Sequence, residues 1–186
     1  DFGAQKVQDE GGMHLVAPRG LKAKPVHLPY PSVGATEQTL LTAVMAEGVT
    51  ELSNAAVEPE IHDLIAVLQK MGAIISVDTD RTIMIEGVDS LQGYTHTALA
   101  DRIEAGSWAS AALATHGDIV IRGAEQQNMM SFLNVFRKVG GQFEVRDEGI
   151  RFWHPGGGLH SIPLQTDVHP GFMTDWQQPL VGALTQ

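Results

Sequence analysis

The stretch SVGATEQTLLTAVMAEG, residues 32–48, decides the fold because it returns in altered form as DRIEAGSWASAALATHG, residues 101–117. Both stretches are rich in small residues and end at a glycine 16 residues after their first residue. We therefore predict a helix in each, with Gly48 and Gly117 as left-handed C-caps. The matching spacing indicates an internal repeat.

The repeat continues beyond these first helices. In each copy a short β-type run is followed by an amphipathic helix, a glycine and a predicted hairpin. The unit is about 70 residues long, since 69 residues separate Ser32 from Asp101. We interpret it as part of a pseudo-symmetric α/β domain in which sheets shield helices. The run, second helix and hairpin cover 49–52, 61–71 and 74–85 in one copy, and 119–122, 129–139 and 142–153 in the other.

Both ends of the sequence match incomplete units. Gly3 matches Gly72 at the 69-residue spacing, so residues 1–31 are predicted to be the tail of a preceding unit. After a longer, glycine-rich linker, a new unit opens near Met173 and its first helix runs to Gln186. Since the start has neither an initiator Met nor the features of a signal peptide, we expect a fragment of a longer protein.

Composition excludes several classes of function. The 186 residues have a formal net charge of −10, 43% hydrophobic residues and no cysteine. The charge opposes unspecific binding to nucleic acid or anionic membrane, and no apolar run is long enough to span a bilayer. These residues hold neither a disulfide nor a thiolate nucleophile. The eight histidines form no His-x-x-x-His pair, so we expect no metal and no cofactor.

Residues 31–36, PSVGAT, stand where the chain enters the first helix of a unit. Ser32 or a neighbour can cap that helix, and Gly34 lets another group approach the backbone closely. Free N–H groups and the helix dipole then favour a phosphate or diphosphate. An ordinary N-cap with a tight turn explains the same residues and, taken alone, is the simpler interpretation.

Asp175 stands at the corresponding helix entrance of the last unit, within HPGFMTDW, residues 169–176. An Asp at this place usually caps the helix. Apolar surroundings from Phe172 and Trp176 would instead raise its basicity enough to take a proton from a sugar hydroxyl. Spacing alone makes Asp175 a candidate base.

Other charged residues have structural explanations that outweigh a catalytic one. Arg102 has the chemistry to bind an anion, but its neighbours Asp101 and Glu104 favour an ion-pair network. Glu58 and Glu60 are typical of the acidic first turn of a helix and are weak candidates for acid–base chemistry.

Five motifs stand in order along the chain: PSVGAT at 31–36, AEG at 46–48, NAA and EPEI between 54 and 61, DRIEAG at 101–106, and HPGF with TD between 169 and 175. Together they resemble the UDP-N-acetylglucosamine 1-carboxyvinyltransferases, a family of enolpyruvyl transferases. The resemblance covers essentially all 186 residues. It implies an inside-out α/β barrel built from repeats of about 70 residues, with residues 1–98 in the later part of one domain and 99–186 in the earlier part of a second.

The resemblance also implies a reaction, the transfer of the enolpyruvyl group from phosphoenolpyruvate to the 3-hydroxyl of UDP-N-acetylglucosamine with release of phosphate. Asp175 would accept the hydroxyl proton and Thr174 would help to position it. Within the stretch that would bind the UDP-sugar, Tyr30 and Pro31 depart from the basic residue and the Val of some relatives. The side-chain contacts at these two positions therefore stay open. The stretch that would bind the UDP-sugar comprises Tyr30, Pro31, Ser32, Val33 and Gly34.

The family's other catalytic groups, a Lys-Asn pair, several Arg and a loop Cys or Asp, match nothing in residues 1–186. We therefore expect these residues alone to lack transferase activity. The resemblance further implies a cytoplasmic enzyme of peptidoglycan synthesis, and through it of cell shape and division, without nucleic-acid or membrane partners. Two alternatives stay open: the shikimate-pathway enolpyruvyl transferase, and a non-catalytic relative that keeps the UDP-sugar site.

Overall fold

Helices and strands alternate along the chain in the order that the repeat predicts. The computed structural model describes residues 2–9 and 11–186, and the chain divides into two units, residues 1–98 and 99–186.

The first unit holds a hairpin, a four-stranded sheet and two helices. Strands β1 and β2 pair antiparallel, and the other strands form a sheet in the order β3-β4-β6-β5, in which β3 and β4 are parallel and the remaining pairs antiparallel. The elements are β1 (Gln5–Asp9), β2 (Gly12–Val16), β3 (Val26–His27), α1 (Val33–Ala43), β4 (Val49–Ser53), α2 (Pro59–Lys70), β5 (Ile74–Val77) and β6 (Ile83–Glu86).

The second unit repeats the part of the first unit from α1 to β6 and then begins another helix. Its antiparallel sheet has the order β7-β9-β8, which is the order β4-β6-β5 of the first unit. Short 3₁₀ turns precede α4 and α5, at Gln126–Asn128 and Thr174–Trp176. The elements are α3 (Arg102–Ala114), β7 (Asp118–Arg122), α4 (Met130–Lys138), β8 (Gln142–Arg146), β9 (Gly149–Trp153) and α5 (Gln177–Ala183).

The repeat of about 70 residues is therefore confirmed. The predicted hairpins differ from the observed strands by only a residue at each end: β6 starts at Ile83 and β9 at Gly149. The hairpin of β1 and β2 follows Gly3 as the hairpin of β5 and β6 follows Gly72, as the 69-residue spacing predicts.

The same C-terminal cap closes the second helix of both copies. Gly72 (φ 101°) follows α2 and Gly140 (φ 109°) follows α4. In each case the residue after the glycine donates to the carbonyl five residues back, Ala73 to Leu68 and Gly141 to Phe136, both at 2.9 Å. This is the Schellman motif, which needs a left-handed residue that glycine adopts without steric cost.

The predicted caps of the first helices are wrong. Helix α1 ends at Ala43 with Val44 as its cap, and Gly48 (φ 109°) lies further on, directly before β4. At the end of α3 the left-handed residue is His116 (φ 53°), not Gly117. Gly117 instead donates to Ala112 at 2.8 Å, the bond that the residue after a left-handed cap makes.

Each unit has its own apolar core. In the first unit Ile61, Ile65 and Leu68 recur on one face of α2 and are buried with strand residues such as Leu52 and Ile83. In the second unit the core is aromatic. Phe132 on α4 has four aromatic rings within 6.4 Å of its centroid: Phe136, Phe152, Phe172 and Trp176.

The exposed face of the second sheet carries a bidentate ion pair. Arg151 on β9 donates to both carboxylate oxygens of Asp118 on β7, with Nε 2.7 Å from Oδ1. This hydrogen bonding lowers the pKa of Asp118 below its ordinary value and raises the pKa of Arg151. Because both groups are solvated, the pair links the strands without contributing to the core.

Gly106 lets α3 meet the aromatic core. A Cβ atom on Gly106 would lie 2.5 Å from Cδ1 and Nε1 of Trp176 and 3.3 Å from Phe132, which is closer than van der Waals contact allows. The Trp176 ring is fully buried there, and its Nε1 donates to the Arg102 carbonyl at 3.0 Å. The absence of a side chain at position 106 therefore determines how close Trp176 packs to the helix.

The substitution Gly106→Ala tests this packing. We expect it to lower the free energy of unfolding by about 1–3 kcal/mol, because the added methyl group displaces a buried ring. Urea denaturation measures the change.

Gly182→Ala on α5 is the matched control. No atom lies within 4 Å of the added Cβ there, so the higher helix propensity of Ala stabilises the chain by up to about 1 kcal/mol. Equal effects of the two substitutions would contradict the packing argument.

Candidate functional site

Helix α1 begins with an open, neutral cap. Ser32 is its N-cap, and the Ala35 N–H donates to Ser32 Oγ at 3.3 Å. The other first-turn N–H groups, including those of Val33 and Gly34, have no acceptor within the helix. A Cβ atom on Gly34 would meet no atom within 4 Å, so this side of the helix start is open to an approaching group. The first turn contains no acidic residue.

Residues 29–31 lead into this helix start. The Ser32 N–H donates to the Tyr30 carbonyl at 2.7 Å, which closes a tight turn around Pro31. The Tyr30 side chain is 61% exposed, whereas Pro31 is half-buried. The five predicted UDP-sugar residues, 30–34, thus lie together at one helix start.

Thr36 fixes this helix start to the rest of the first unit. Its side chain is fully buried, and its hydroxyl donates to the Ser32 carbonyl at 2.8 Å. The same oxygen accepts the Ala56 N–H at 2.9 Å, from the loop between β4 and α2. One hydroxyl therefore joins the first turn of α1 to a loop that lies 20 residues away in sequence.

The equivalent helix start in the second unit is closed by a carboxylate. Asp101 is the N-cap of α3, and its Oδ1 accepts the N–H groups of Ile103 at 2.8 Å and Glu104 at 3.0 Å. The negative charge already compensates the helix dipole at that end. Of the two equivalent helix starts, only that of α1 lacks a negatively charged cap, so its helix dipole favours an anion.

Arg102 has a structural role in the second unit. Its side chain is 4% exposed, and its guanidinium lies 5.2 Å from the centroid of the Trp176 ring. The neighbouring carboxylates also have structural roles: Asp101 caps α3, and Glu104 accepts the Trp108 Nε1–H at 3.1 Å. A stacked position of this kind favours packing over binding of a soluble anion.

Thr174 and Asp175 form the 3₁₀ turn that leads into α5, and both are exposed. The expectation that Asp175 caps the helix is wrong, because neither this turn nor α5 has a side-chain cap bond. The expectation of apolar surroundings is also wrong. Phe172 and Trp176 point into the core and position the turn, whereas the Asp175 side chain lies in solvent.

A sequence profile of the EPSP synthase family, described as EPSP synthase (3-phosphoshikimate 1-carboxyvinyltransferase), matches residues 4–185. The chain belongs to this family. Among relatives of the EPSP synthase family, proteins named UDP-N-acetylglucosamine 1-carboxyvinyltransferase are similar to the chain throughout. That of Protochlamydia amoebophila is 54% identical over 183 residues, and that of Chlamydia pneumoniae is 47% identical over 185 residues. The resemblance seen in the sequence is thereby confirmed.

The chain spans about two fifths of these relatives. It covers 39% of the Protochlamydia protein and 40% of the Chlamydia pneumoniae protein, while 97% and 100% of the chain is matched. A related protein named UDP-N-acetylglucosamine 1-carboxyvinyltransferase 1, from Staphylococcus aureus, is 40% identical and is covered to 43%.

Solved structures of the EPSP synthase family and its relatives have the same fold. The enolpyruvyl transferase NikO from Streptomyces tendae superposes with a TM-score of 0.84 at 21% identity, over 98% of this chain and 46% of that one. An EPSP synthase from Acinetobacter baumannii gives 0.59 at 20% identity, over 99% and 42%. The predicted inside-out α/β fold of enolpyruvyl transferases is confirmed.

Within this family fold, Glu60 lies in the first turn of α2, as the sequence predicts. Pro59 takes the first helical position, as expected, and Glu58 is the N-cap without a side-chain cap bond. Glu58 is nevertheless buried, and its Oε2 has no hydrogen-bond partner among residues 2–9 and 11–186. Its burial distinguishes Glu58 from Glu60, which is half-buried.

Two absences apply to the part of the chain that the structure describes. No group of three or more His, Asp or Glu side chains is placed to hold a metal ion. No helix there has the length and apolarity needed to cross a membrane.

The role of Thr36 was missed from the sequence, although it lies in the PSVGAT motif. Its partner Ala56 is distant in sequence, and a first-turn Thr gives no signal of a tertiary bond.

The substitution Thr36→Val tests the link between α1 and the loop. We expect it to lower the free energy of unfolding by about 1–3 kcal/mol, because the buried Ala56 N–H loses its acceptor. Chemical denaturation provides the measurement.

Two controls bracket the result. Thr36→Ser keeps the hydroxyl and should lose less stability. Thr42→Val removes only a bond within the helix, to the Gln38 carbonyl, and should have a small effect. A loss at Thr42 as large as the loss at Thr36 would contradict the proposed link.

Proposed function

We propose that the protein transfers the enolpyruvyl group of phosphoenolpyruvate to the 3-hydroxyl of UDP-N-acetylglucosamine and releases phosphate. Two observations together carry this proposal. The relatives are named UDP-N-acetylglucosamine 1-carboxyvinyltransferase, and the helix start at Ser32 is neutral and open. A nucleotide-sugar carries a diphosphate, the kind of group that free first-turn N–H groups and a helix dipole stabilise.

The UDP-sugar binds at residues 30–34 in this proposal. The diphosphate lies over the N–H groups of Val33 and Gly34, where the absence of a side chain at position 34 leaves room. Ser32 contributes a neutral hydroxyl, so the helix start carries no charge that repels the phosphates. Tyr30 and Pro31 line the approach to the helix.

Asp175 serves as the base in this proposal. As the sugar 3-hydroxyl attacks C2 of phosphoenolpyruvate, its proton passes to the Asp175 carboxylate, and the methylene carbon C3 gains a proton from an acid. The resulting tetrahedral intermediate loses a proton from C3 and expels phosphate, which restores the carbon–carbon double bond. Exposure of Asp175, and its lack of a capping role, leave the carboxylate available, and Thr174 beside it helps to position the sugar.

Residues outside the 186 supply the remaining groups in this proposal. The phosphate and carboxylate of phosphoenolpyruvate need cationic partners, and C3 needs an acid. We assign these groups to the part of the relatives that the chain does not span, so the 186 residues alone lack activity. Residues 1–98 then form the later part of a first domain and residues 99–186 the earlier part of a second, in line with the two units of the structure.

The cellular role follows from the proposed reaction. An enolpyruvyl UDP-sugar is a precursor of peptidoglycan, so the protein would act in the cytoplasm in cell-wall synthesis, and through it in cell shape and division. The names of the relatives support the reaction from which this role is inferred.

The substitution Ser32→Asp tests the diphosphate site. It gives α1 the carboxylate cap that Asp101 gives α3, so stability should change by less than about 0.5 kcal/mol. The added charge repels a diphosphate, so the affinity for UDP-N-acetylglucosamine should fall by about tenfold or more, ~1.4 kcal/mol. Calorimetry on the full-length protein measures both substrate affinity and thermal stability.

Ser32→Thr, which keeps a neutral cap, is the control and should bind nearly as well as the unaltered protein. Undiminished binding of UDP-N-acetylglucosamine by the Ser32→Asp variant would contradict the assignment of the diphosphate to the start of α1. Binding of shikimate 3-phosphate in preference to the UDP-sugar would favour the shikimate-pathway reaction instead.

The substitution Asp175→Asn tests the base. In the full-length enzyme we expect kcat to fall by about 10²–10⁴-fold, because Asn cannot accept the hydroxyl proton. Phosphate release under saturating substrates measures kcat, and calorimetry checks that the UDP-sugar still binds.

Asp147→Asn, at an exposed hairpin turn of the same unit, is the matched control and should leave kcat unchanged. A full-length protein that binds the UDP-sugar but releases no phosphate even without substitution would identify a non-catalytic relative.

A further inference from the structure

The second unit brings two histidine rings together at the end of its sheet. His116 and His154 are 38 residues apart in sequence, and their Nδ1 atoms lie 3.2 Å from each other. The ring centroids are 4.1 Å apart with an interplanar angle of 59°. His116 is exposed and His154 is half-buried, so both rings are accessible at the surface.

His116 occupies a backbone position that glycine fills elsewhere in the chain. It is the left-handed residue (φ 53°) that ends α3, and Gly72 and Gly140 have this role after α2 and α4. A residue with a Cβ atom is strained in this conformation. Strained backbone is concentrated at binding and catalytic sites, so a histidine here needs an explanation beyond the helix cap.

His154 is fixed next to this cap. It directly follows β9, and its N–H donates to the Gly117 carbonyl at 3.1 Å, one residue from His116. Its ring nitrogen Nδ1 accepts the Gly156 N–H at 3.0 Å. That nitrogen therefore carries a lone pair and no proton.

We infer that His116 and His154 form a two-histidine site for a divalent transition metal ion such as Zn²⁺, Ni²⁺ or Cu²⁺. Imidazole nitrogens bind such ions at about 2.0–2.1 Å, and bond angles between octahedral and tetrahedral values then place two ligand nitrogens about 2.8–3.4 Å apart. The observed Nδ1–Nδ1 separation of 3.2 Å lies within this range. Water completes the coordination shell, since no third ligating side chain joins the pair in the described structure.

Metal binding displaces the Gly156 N–H from the lone pair of His154 and replaces the hydrogen bond between the two Nδ1 atoms. The proton that His116 Nδ1 donates in that bond moves through solvent to Nε2 of the same ring, which frees Nδ1 as a ligand. The segment that carries it is suited to this movement, because Gly156 and Gly157 both have φ 89° and no atom near their Cβ positions. From the sequence alone no metal is expected, because no His-x-x-x-His pair is present. Such a pair is a local signal, whereas His116 and His154 are 38 residues apart in sequence and meet only in the tertiary structure.

Titration of the full-length protein with NiCl₂ and ZnCl₂ in a non-chelating buffer tests the inference. We expect one saturable site by calorimetry, and nickel-induced broadening of the His116 and His154 ring signals in NMR spectra. His154→Gln should weaken binding at least tenfold.

His116→Gly should also weaken binding at least tenfold, while raising the midpoint of urea denaturation without metal, because glycine relieves the backbone strain. That increase would show that loss of binding does not result from misfolding. His62→Asn, an exposed histidine on α2, is the matched control and should bind as the unaltered protein does. No saturable binding, unchanged affinity in either site variant, or loss of binding in the His62 variant would overturn the inference.

Discussion

The second unit depends on the contact between the indole of Trp176 and the bare backbone of Gly106. A helix that carried a side chain at this position would hold the ring away from Phe132 and open the aromatic core. The indole N–H bonded to the Arg102 carbonyl fixes the ring's orientation as well as its depth. Because Trp176 ends the turn that contains Asp175, packing in the core determines where an exposed carboxylate stands.

Two helices with the same place in the repeat have acquired opposite electrostatic character at their starts. A hydroxyl caps α1 and leaves the dipole free to attract an anion, whereas a carboxylate caps α3 and cancels it. A single residue makes this difference without altering the fold around it. In this repeat the buried positions preserve the unit, while the cap position changes the charge at the helix start.

Much of the fold could be predicted from the sequence, because glycine spacing and apolar periodicity are local signals. The hairpins and second helices follow from them within a residue or two. Local rules failed where a distant contact decides the outcome. The sequence predicts Gly117 as a helix cap, but the left-handed residue is His116, one position earlier. It predicts Asp175 as a cap, but Asp175 lies within a turn that the buried Trp176 holds in place. The Thr36 bond to Ala56 has no local signature at all.

The strand order has a consequence for how the chain acquires its structure. In both larger sheets the last strand to be synthesised, β6 or β9, lies between two earlier strands, so pairing is completed only when the hairpin closes. The most widely separated partners in the described sheets are Val49 and Glu86, and every other pairing is more local. A ribosome-bound chain can therefore complete one sheet before the next unit emerges, which shortens the time during which unpaired strand edges are exposed to aggregation.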